Sequence, residues 1–223
     1  MSRGPRSRTD TDRGELSDQG ATGTSGATSD AADTAEPADA AGSASTAGTA
    51  VDMHVKVLDE RVVARAKARG LDVLVYAPHF TRLPEIRERA ARFSEDDLLV
   101  VPAREVFTGD WRTRKHVLAL GLSEPVPDFI TLAGAFAEFR RQDAVVLVAH
   151  PGFATVSLST TEISDRADDI AAVETYNAKL FPGQNDAAAT VARETGLPGF
   201  GSSYAHLRVT VGEAWTRFDD TIN

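Results

Sequence analysis

From residue 51 onward, short apolar runs alternate with amphipathic stretches, and this alternation limits the folds open to the chain. Continuous apolar runs of about four to eight residues are typical of strands that are buried on both faces of a sheet. Between these runs, apolar and charged residues recur with helical spacing, in the segments 58–70, 84–93, 128–142 and 185–196. Such a pattern predicts six or seven strand and helix units in an α/β fold, either a closed barrel or an open doubly wound sheet.

The apolar runs also predict how some of the strands pair. Only the polar turn TGDWRTRK separates the runs 104–107 and 116–122, so we expect these two to form an antiparallel pair. No G-x-G-x-x-G follows the first strand and no G-x-x-x-x-G-K is present, so the phosphate cradles of dinucleotide-binding and P-loop folds are missing. The predicted strands are 51–55, 72–77, 97–102, 104–107, 116–122, 144–150, 171–176 and 197–203.

The first fifty residues differ in composition from the rest of the chain. They contain no Val, Ile, Phe, Trp or Tyr and are rich in Ala, Gly, Ser, Thr and Asp. Such a segment buries too little apolar surface to offset the entropy that ordering would cost. We therefore predict a disordered acidic tail over residues 1–50 and a single barrel domain over 51–223. The chain stops at Asn223, where a closing helix would be expected, so we expect a truncated version of the barrel.

Composition excludes several classes of protein and site. The scattered Arg residues of the first segment are not followed by an apolar run, which excludes a signal peptide, and no run is long enough to cross a membrane. We therefore expect a soluble, cytoplasmic protein with no membrane partner. Without cysteine, the chain has neither a disulfide nor a thiolate, so any metal site must use His, Asp and Glu.

The charge balance bears on partners and on the source of the protein. The net charge is −9, and only four of the basic residues are Lys. Bulk negative charge argues against general nucleic-acid binding, because phosphate backbones need a concentrated basic surface. The shortage of Lys resembles haloarchaeal proteins from high-salt cytoplasm, and a GC-rich genome that favours Arg explains it equally well.

The five histidines lie next to predicted strands. A single His beside a strand is more often a structural residue, but five of five at strand junctions favour a shared role. Side chains at the carboxyl ends of barrel strands converge on one face, and imidazole is the commonest metal ligand in proteins. Glu105, just past the apolar run 97–102, adds a carboxylate able to bridge metal ions. The histidines are His54, His79, His116, His150 and His206.

Seven short motifs, taken in order, resemble those of the PHP superfamily (polymerase and histidinol phosphatase). Its members are metal-dependent phosphoesterases built on a distorted seven-stranded α/β barrel, and the resemblance spans residues 51 to about 216. It implies that fold for this chain. The motifs are DMHVK (52–56), APH (77–79), PARE (102–105), KHVLALG (115–121), AHPG (149–152), ETYN (174–177) and SSYAH (202–206).

The resemblance implies roles for the histidines and Glu105. Glu105, His116 and His150 match the ligands of one metal ion, with Glu105 bridging to a second ion that His54 also binds. His79 and His206 match ligands of a third ion, but the loop after the first strand is too short to complete that site. The implied cofactor is one or two divalent ions, with Mn, Zn and Fe as the candidates.

The chain departs from the family pattern at three positions. Lys56 and Tyr204 replace two ligands of the metal position shared by His54 and Glu105, and Pro78 replaces the Asp that precedes His79 in the family. Because both lost ligands belong to one position, we hypothesise that the Lys56 ammonium stands beside Glu105 in place of that metal. Tyr204 would then fill space or donate a hydrogen bond.

These residues lead to a functional prediction with alternatives. The leading prediction is a metal-dependent phosphoesterase that acts on a small phosphorylated metabolite or a nucleotide, with Glu105, His150 and Lys56 as catalytic residues. Arg104, Lys115 and Tyr204 are the predicted substrate-binding residues. The first alternative is a catalytically degenerate barrel that serves as a metal-binding structural or interaction module. The second is an amidohydrolase, which shares the barrel.

Overall fold

The computed structural model describes residues 48–153 and 156–219. Within them lie eight strands and five α-helices. The strands are β1 (Thr49–Val55), β2 (Val73–Tyr76), β3 (Leu99–Thr108), β4 (Lys115–Leu120), β5 (Val145–Val148), β6 (Ala172–Asn177), β7 (Gly199–Ser202) and β8 (Thr216–Phe218). The helices are α1 (Glu60–Ala68), α2 (Leu83–Phe93), α3 (Leu132–Arg141), α4 (Thr160–Ser164) and α5 (Pro182–Thr195), with 3-10 turns at Ala167–Asp169 and Arg208–Thr210.

The strands form one sheet that nearly closes into a barrel. Their order is β7-β6-β5-β4-β3-β2-β1-β8, and β4 is antiparallel to both of its neighbours. Backbone hydrogen bonds join the two ends, because Ala205 N donates to His54 O and Lys56 N donates to Ala205 O. The predicted α/β barrel of PHP type is confirmed, and β8 is an additional short strand that pairs antiparallel with β1.

One long strand replaces two that the sequence predicts. The runs 97–102 and 104–107 were expected as separate strands, but β3 is continuous from Leu99 to Thr108. Its first part pairs parallel with β2, and its second part, from Ala103, pairs antiparallel with β4. The expected antiparallel pair is thus confirmed, and Glu105 lies inside a strand that has neighbours on both sides.

Helices and strands enclose three apolar clusters. One consists mainly of residues from the strands, among them Val51, Met53, Val75 and Leu118, and fills the barrel. The second packs α1 and α2 against β1 and β2, and the third packs α3, α4 and α5 against β4 to β6. None of the helices in the described part of the chain has the length and apolar character that a bilayer crossing requires.

Local signals set the ends of several helices. The Asp59 carboxylate accepts from the backbone N–H groups of Arg61 and Val62 at the start of α1, which satisfies two of the free donors there. A capping box between Ser159 and Glu162 begins α4. The last helix, α5, ends at Gly196, whose φ of 71° is a left-handed conformation that glycine adopts without strain.

The boundary of the domain lies slightly before the predicted one. β1 begins at Thr49, and Ala50 is buried, so the last two residues of the predicted tail belong to the sheet. The predicted disorder of the preceding residues, up to residue 47, lies outside the described residues.

Candidate metal centre

Glu105 is the centre of a buried cluster of imidazoles. Its side chain is fully buried on β3, and its Oε1 lies 3.5 Å from His54 Nε2 and 3.3 Å from His150 Nε2. His116 Nδ1 lies 3.5 Å from the same oxygen, while His79 Nε2 makes a close contact with Oε2. Two strands, β1 and β4, and the segments that follow β2 and β5 therefore bring four imidazoles around one carboxylate.

An irregularity in β1 places two residues of the first motif toward this carboxylate. Val51 and Met53 belong to the cluster that fills the barrel, whereas Val55 belongs to the cluster under α1. The pairing of β1 with β2 shifts register between Asp52 and Val55, which reverses the usual alternation of faces. As a result, His54 and Lys56 both reach Glu105.

Two further residues of the site have backbone conformations that side chains disfavour. His150 has a φ of 35° and Tyr204 a φ of 46°, both in the left-handed region. His150 follows β5, and its backbone N–H donates to Glu174 Oε2 at 2.6 Å. Such conformations persist only where surrounding contacts hold them, and they concentrate at functional sites.

Three of these side chains have the geometry of a metal site. Ligand atoms of Glu105, His116 and His150 all lie within 4.8 Å of one another, and all three residues are buried. Both ring nitrogens of His116 and both of His54 lack hydrogen-bond partners among the described residues. Buried polar atoms without partners are costly, and a cation would satisfy them. Two imidazoles and a carboxylate are a donor set that suits divalent Zn, Mn or Fe, so the residues fit the predicted ion.

Burial and charge keep these groups in the forms that bind a metal. Burial, with the nearby Lys56 charge, lowers the pKa of His54 to about 4, and burial also lowers the pKa of His116. Burial acts to raise the pKa of Glu105, but Lys56 and the surrounding imidazoles outweigh it and hold that pKa well below its usual range. Near neutral pH, His54 and His116 are therefore neutral and Glu105 is ionised, which are the forms that bind a metal.

Lys56 lies beside Glu105, on the side away from the three-residue metal site. Its Nζ is 2.5 Å from Glu105 Oε2 and donates to Ala77 O at 2.8 Å. The side chain is 5% exposed, and the ammonium lies 5.6 Å from the centroid of the Tyr204 ring. Burial lowers the pKa of Lys56, and the Glu105 carboxylate opposes that shift. The predicted approach of Lys56 to Glu105 is confirmed.

A second buried carboxylate, Glu174, lies behind the imidazoles that surround Glu105. Its Oε1 lies 3.6 Å from His54 Nδ1 and accepts a short hydrogen bond from the Ser202 hydroxyl. Asn177 donates to its Oε2 at 3.0 Å. Burial acts to raise the pKa of Glu174, but the contact with His54 outweighs it, and the pKa is lowered. Glu174 thus orients His54, as carboxylates behind metal-binding imidazoles commonly do.

Asp52 ties the first strand to the segment after β7. Its Oδ1 accepts from Ser203 N and its Oδ2 accepts from Gly212 N, both at 3.0 Å. Burial raises the pKa of this carboxyl to about 6, and the hydrogen bonds from Ser203 and Gly212 oppose the shift. The segment that carries Tyr204 and His206 is held against β1 through these bonds.

His79 and His206 complete the set of predicted ligands at the rim of the centre. Their ring centroids are 5.6 Å apart, and His206 is exposed while its Nδ1 lies 3.1 Å from Tyr204 O. Beside them lies an aromatic wall, in which the Phe107 ring stacks on His116 at 4.0 Å and contacts Phe80 at 4.7 Å. This apolar wall limits water on one side of the site.

Tyr204 packs against the imidazoles from the opposite side. Its ring centroid lies 4.7 Å from that of His54 and 5.2 Å from that of His150. Burial, with the charges of Glu105 and Glu174, raises the pKa of its hydroxyl, so the residue remains a neutral phenol. The position therefore offers a ring and a hydrogen-bond donor rather than a carboxylate ligand.

Two predicted substrate-binding residues, Arg104 and Lys115, have protein partners other than Glu105, and their role in substrate binding stays a prediction. Arg104 pairs with Asp128 at 2.8 Å and donates to Thr81 O, because it points to the opposite face of β3 from Glu105. Lys115 Nζ donates to Ser157 O at 2.8 Å and lies 3.7 Å from Glu162. Within the described part of the chain, neither cation forms an ion pair with Glu105.

One supporting residue has no signal in the sequence. The Ser157 hydroxyl lies 3.3 Å from His150 Nδ1 and donates to His150 O, so it fixes the ring and backbone of that ligand. Ser157 follows a loop rather than a strand and belongs to none of the recognised motifs. Asp52 and Glu174 do lie within motifs, at DMHVK and ETYN, which is where they could have been sought.

The comparisons with known proteins agree with this architecture. PsfC from Pseudomonas syringae superposes with a TM-score of 0.60 at 18% identity, covering 74% of this chain and 80% of PsfC. A proposed metal-dependent phosphoesterase from Bifidobacterium adolescentis gives a TM-score of 0.57 at 14% identity, over 77% of this chain and 93% of that one. A third similar structure is a two-domain protein from Bacteroides vulgatus that contains a predicted PHP-like metal-dependent phosphoesterase. It superposes with a TM-score of 0.52 at 20% identity, covering 72% of this chain and 53% of that protein.

The chain has the fold of the PHP-like phosphoesterases. A family model described as PHP-associated matches residues 182–223, which begin with α5. Among curated proteins, no sequence matches this chain. At these identities the likeness extends to the fold, and the chemistry rests on the residues of the site itself.

Proposed function

We propose that this chain is a metal-dependent phosphoesterase that hydrolyses a small phosphorylated metabolite or a nucleotide. The observation that carries the proposal is the buried group of Glu105, His116 and His150, whose ligand atoms lie within 4.8 Å of one another. A divalent ion held there supplies Lewis-acid polarisation of a phosphoryl oxygen and activation of water near neutral pH.

The residues around this group have separate tasks. Glu105 holds negative charge at the centre, and Ser157 and Glu174 keep His150 and His54 in fixed orientations. Lys56 places a positive charge next to the centre, where it favours the approach of a phosphate and the charge that develops during its transfer. The aromatic wall of Phe80 and Phe107 excludes water from one side.

The metal number follows from the position of Lys56. The ammonium occupies the Oε2 side of Glu105, while the Oε1 side faces His54, His116 and His150. A second ion on the Oε2 side would meet a cation at hydrogen-bond distance, so we propose that Lys56 replaces it and that the chain binds at most two ions. Tyr204 contributes no carboxylate to that side.

A pair of substitutions tests this exchange. Lys56→His with Tyr204→Asp restores two ligands together, and metal analysis of the purified double variant should give one more equivalent than the parent. Each single variant is the matched control and should add little, because each leaves the position a ligand short. An unchanged metal content in the double variant would mean that Lys56 does not stand in for an ion.

A catalytically degenerate module is the second candidate, and one observation favours it. Lys56 and His79 both contact Glu105 Oε2, so protein groups already occupy one side of the carboxylate. Metal analysis combined with phosphatase assays in Mn, Zn and Fe separates the two candidates. Turnover that requires Glu105 supports the enzyme, whereas near-stoichiometric metal without turnover of any phosphoester supports the module.

A further inference from the structure

A large cavity opens beside the metal centre. Its volume is about 780 Å³, and both Lys56 and His206 form part of its wall. Lys56 also contacts Glu105, so the cavity is adjacent to the site around that carboxylate. The volume falls within the range of small-molecule sites, about 300–1,000 Å³.

The wall of this cavity is strongly cationic in a protein that is acidic as a whole. It carries five cationic side chains and one carboxylate, Asp59, which is itself paired with Arg208. The net charge of the chain is −9, so the cavity wall is positive although the protein as a whole is negative. The cationic side chains are Lys56, Arg61, Arg65, Arg89 and Arg208.

Separate elements bring these arginines together and hold some of them in place. Arg61 and Arg65 lie four residues apart on α1 and therefore share a face of that helix. Arg89, from α2, donates to Leu58 O from Nε at 2.9 Å and from Nη2 at 2.6 Å. Arg65 Nε donates to Val211 O at 2.9 Å. Each guanidinium has five N–H donors, so these bonds leave others for a ligand.

Stability of the fold does not explain this arrangement. Like charges four residues apart on a helix destabilise it, and Arg61 has no side-chain partner among the described residues. Three of the cations, Arg61, Arg65 and Arg89, have no carboxylate partner among the described residues. Such groups suit an anionic ligand, because guanidinium groups match the oxygens of phosphate and carboxylate. Part of the wall is apolar, with Leu207 63% and Val209 66% exposed, which suits a carbon skeleton beside the anion.

We propose that this cavity binds a second anionic group of the substrate while the scissile phosphate lies at the metal centre. The substrate class is then an organic phosphoester with a phosphate or a carboxylate at its other end. This inference rests on the proposed phosphoesterase function, and it assigns specificity to Arg61, Arg65 and Arg89 in place of Arg104 and Lys115.

Matched substrates test the proposal. Hexane-1,6-diol bisphosphate, 6-(phosphonooxy)hexanoate and hexyl phosphate share one chain and differ in the distal group. The parent protein should have a KM at least about tenfold lower for one of the two compounds with a distal anionic group than for hexyl phosphate. The compound with the lower KM identifies the preferred anion. Equal KM values for all three compounds would overturn the proposal.

Variants connect this preference to the cavity. Arg61→Gln should raise the KM for the preferred compound about tenfold and leave that for hexyl phosphate unchanged, and Arg61→Lys should restore part of the loss. The control is Arg193→Gln on α5, because Arg193 is exposed and its side chain hydrogen-bonds, among the described residues, to Thr190 alone. An equal rise for both compounds in Arg61→Gln would contradict the assignment.

A binding measurement separates this proposal from the proposed function. If the parent protein hydrolyses none of the three compounds, the phosphoesterase proposal fails, and hexane-1,6-bisphosphonate remains as a probe in calorimetry. Saturable binding that weakens about tenfold in Arg61→Gln supports the cavity independently of catalysis. Absence of binding, or equal affinity in parent and variant, overturns it.

Discussion

Removal of the Lys56 ammonium should destabilise the metal-free protein strongly. Lys56→Met keeps the length of the side chain and removes the charge that lies 2.5 Å from Glu105. Both side chains are at most 5% exposed, so the variant leaves a buried carboxylate without its nearest cation. Removing one partner of such a buried ion pair lowers the free energy of unfolding by about 3–5 kcal/mol.

The expected shift in melting temperature follows from the size of the protein. For a chain of about 150–250 residues, 1 kcal/mol corresponds to about 2–4 °C, so Tm should fall by about 6–20 °C. The assay is thermal unfolding after chelation, and again with saturating Zn or Mn. An ion bound between Glu105, His116 and His150 would place a positive charge next to the Glu105 carboxylate. The rise in Tm on adding metal should therefore be larger in Lys56→Met than in the parent.

Lys67→Met is the matched control for this experiment. Lys67 also forms ion pairs, with Glu95 and Asp97, but these lie at the surface, where pairs contribute little. Lys56→Met with Glu105→Gln should recover part of the lost stability, since the buried charge is then removed as well. If Lys56→Met and Lys67→Met lower the metal-free Tm equally, the role assigned to the buried ammonium is wrong.

Three further predictions concern the ligands and the domain boundary. Glu105→Gln should reduce bound metal to a small fraction of the parent value in elemental analysis, and retained stoichiometric metal would contradict its assignment as a ligand. Ser157→Ala should weaken metal affinity about 10–100-fold in a chelator competition, because His150 loses its orienting contact; Ser159→Ala, in the capping box of α4, is the control. Deletion of residues 1–47 should leave Tm unchanged, whereas deletion of 1–50 should lower it, because Ala50 N donates to Asp72 Oδ2 at 2.7 Å within the sheet.

The sequence alone determined the fold class and the composition of the metal centre. Alternating apolar and amphipathic segments are local properties, and they predict an α/β fold, either a barrel or an open sheet, while the resemblance of the seven motifs implied the barrel. The histidines at those ends, together with Glu105, follow from this geometry, and the structure places all of them in one cluster. The approach of Lys56 to Glu105 was also predictable, because the resemblance put both at one metal position.

Only the tertiary structure decided where the cations lie relative to Glu105. Arg104 and Lys115 are adjacent to ligands in sequence, yet Arg104 pairs with Asp128 and Lys115 donates to the backbone carbonyl of Ser157, so neither pairs with Glu105. Arg61 and Arg89 belong to different helices, and no local pattern shows that α1 and α2 face one cavity.

Long-range contacts account for what the sequence did not reveal. The register shift between Asp52 and Val55, which turns both His54 and Lys56 inward, depends on pairing with β2. The cavity wall depends on a contact between Asp59 and Arg208, which are 149 positions apart. Periodicity reports the faces of single elements, whereas these features arise only when distant elements pack together.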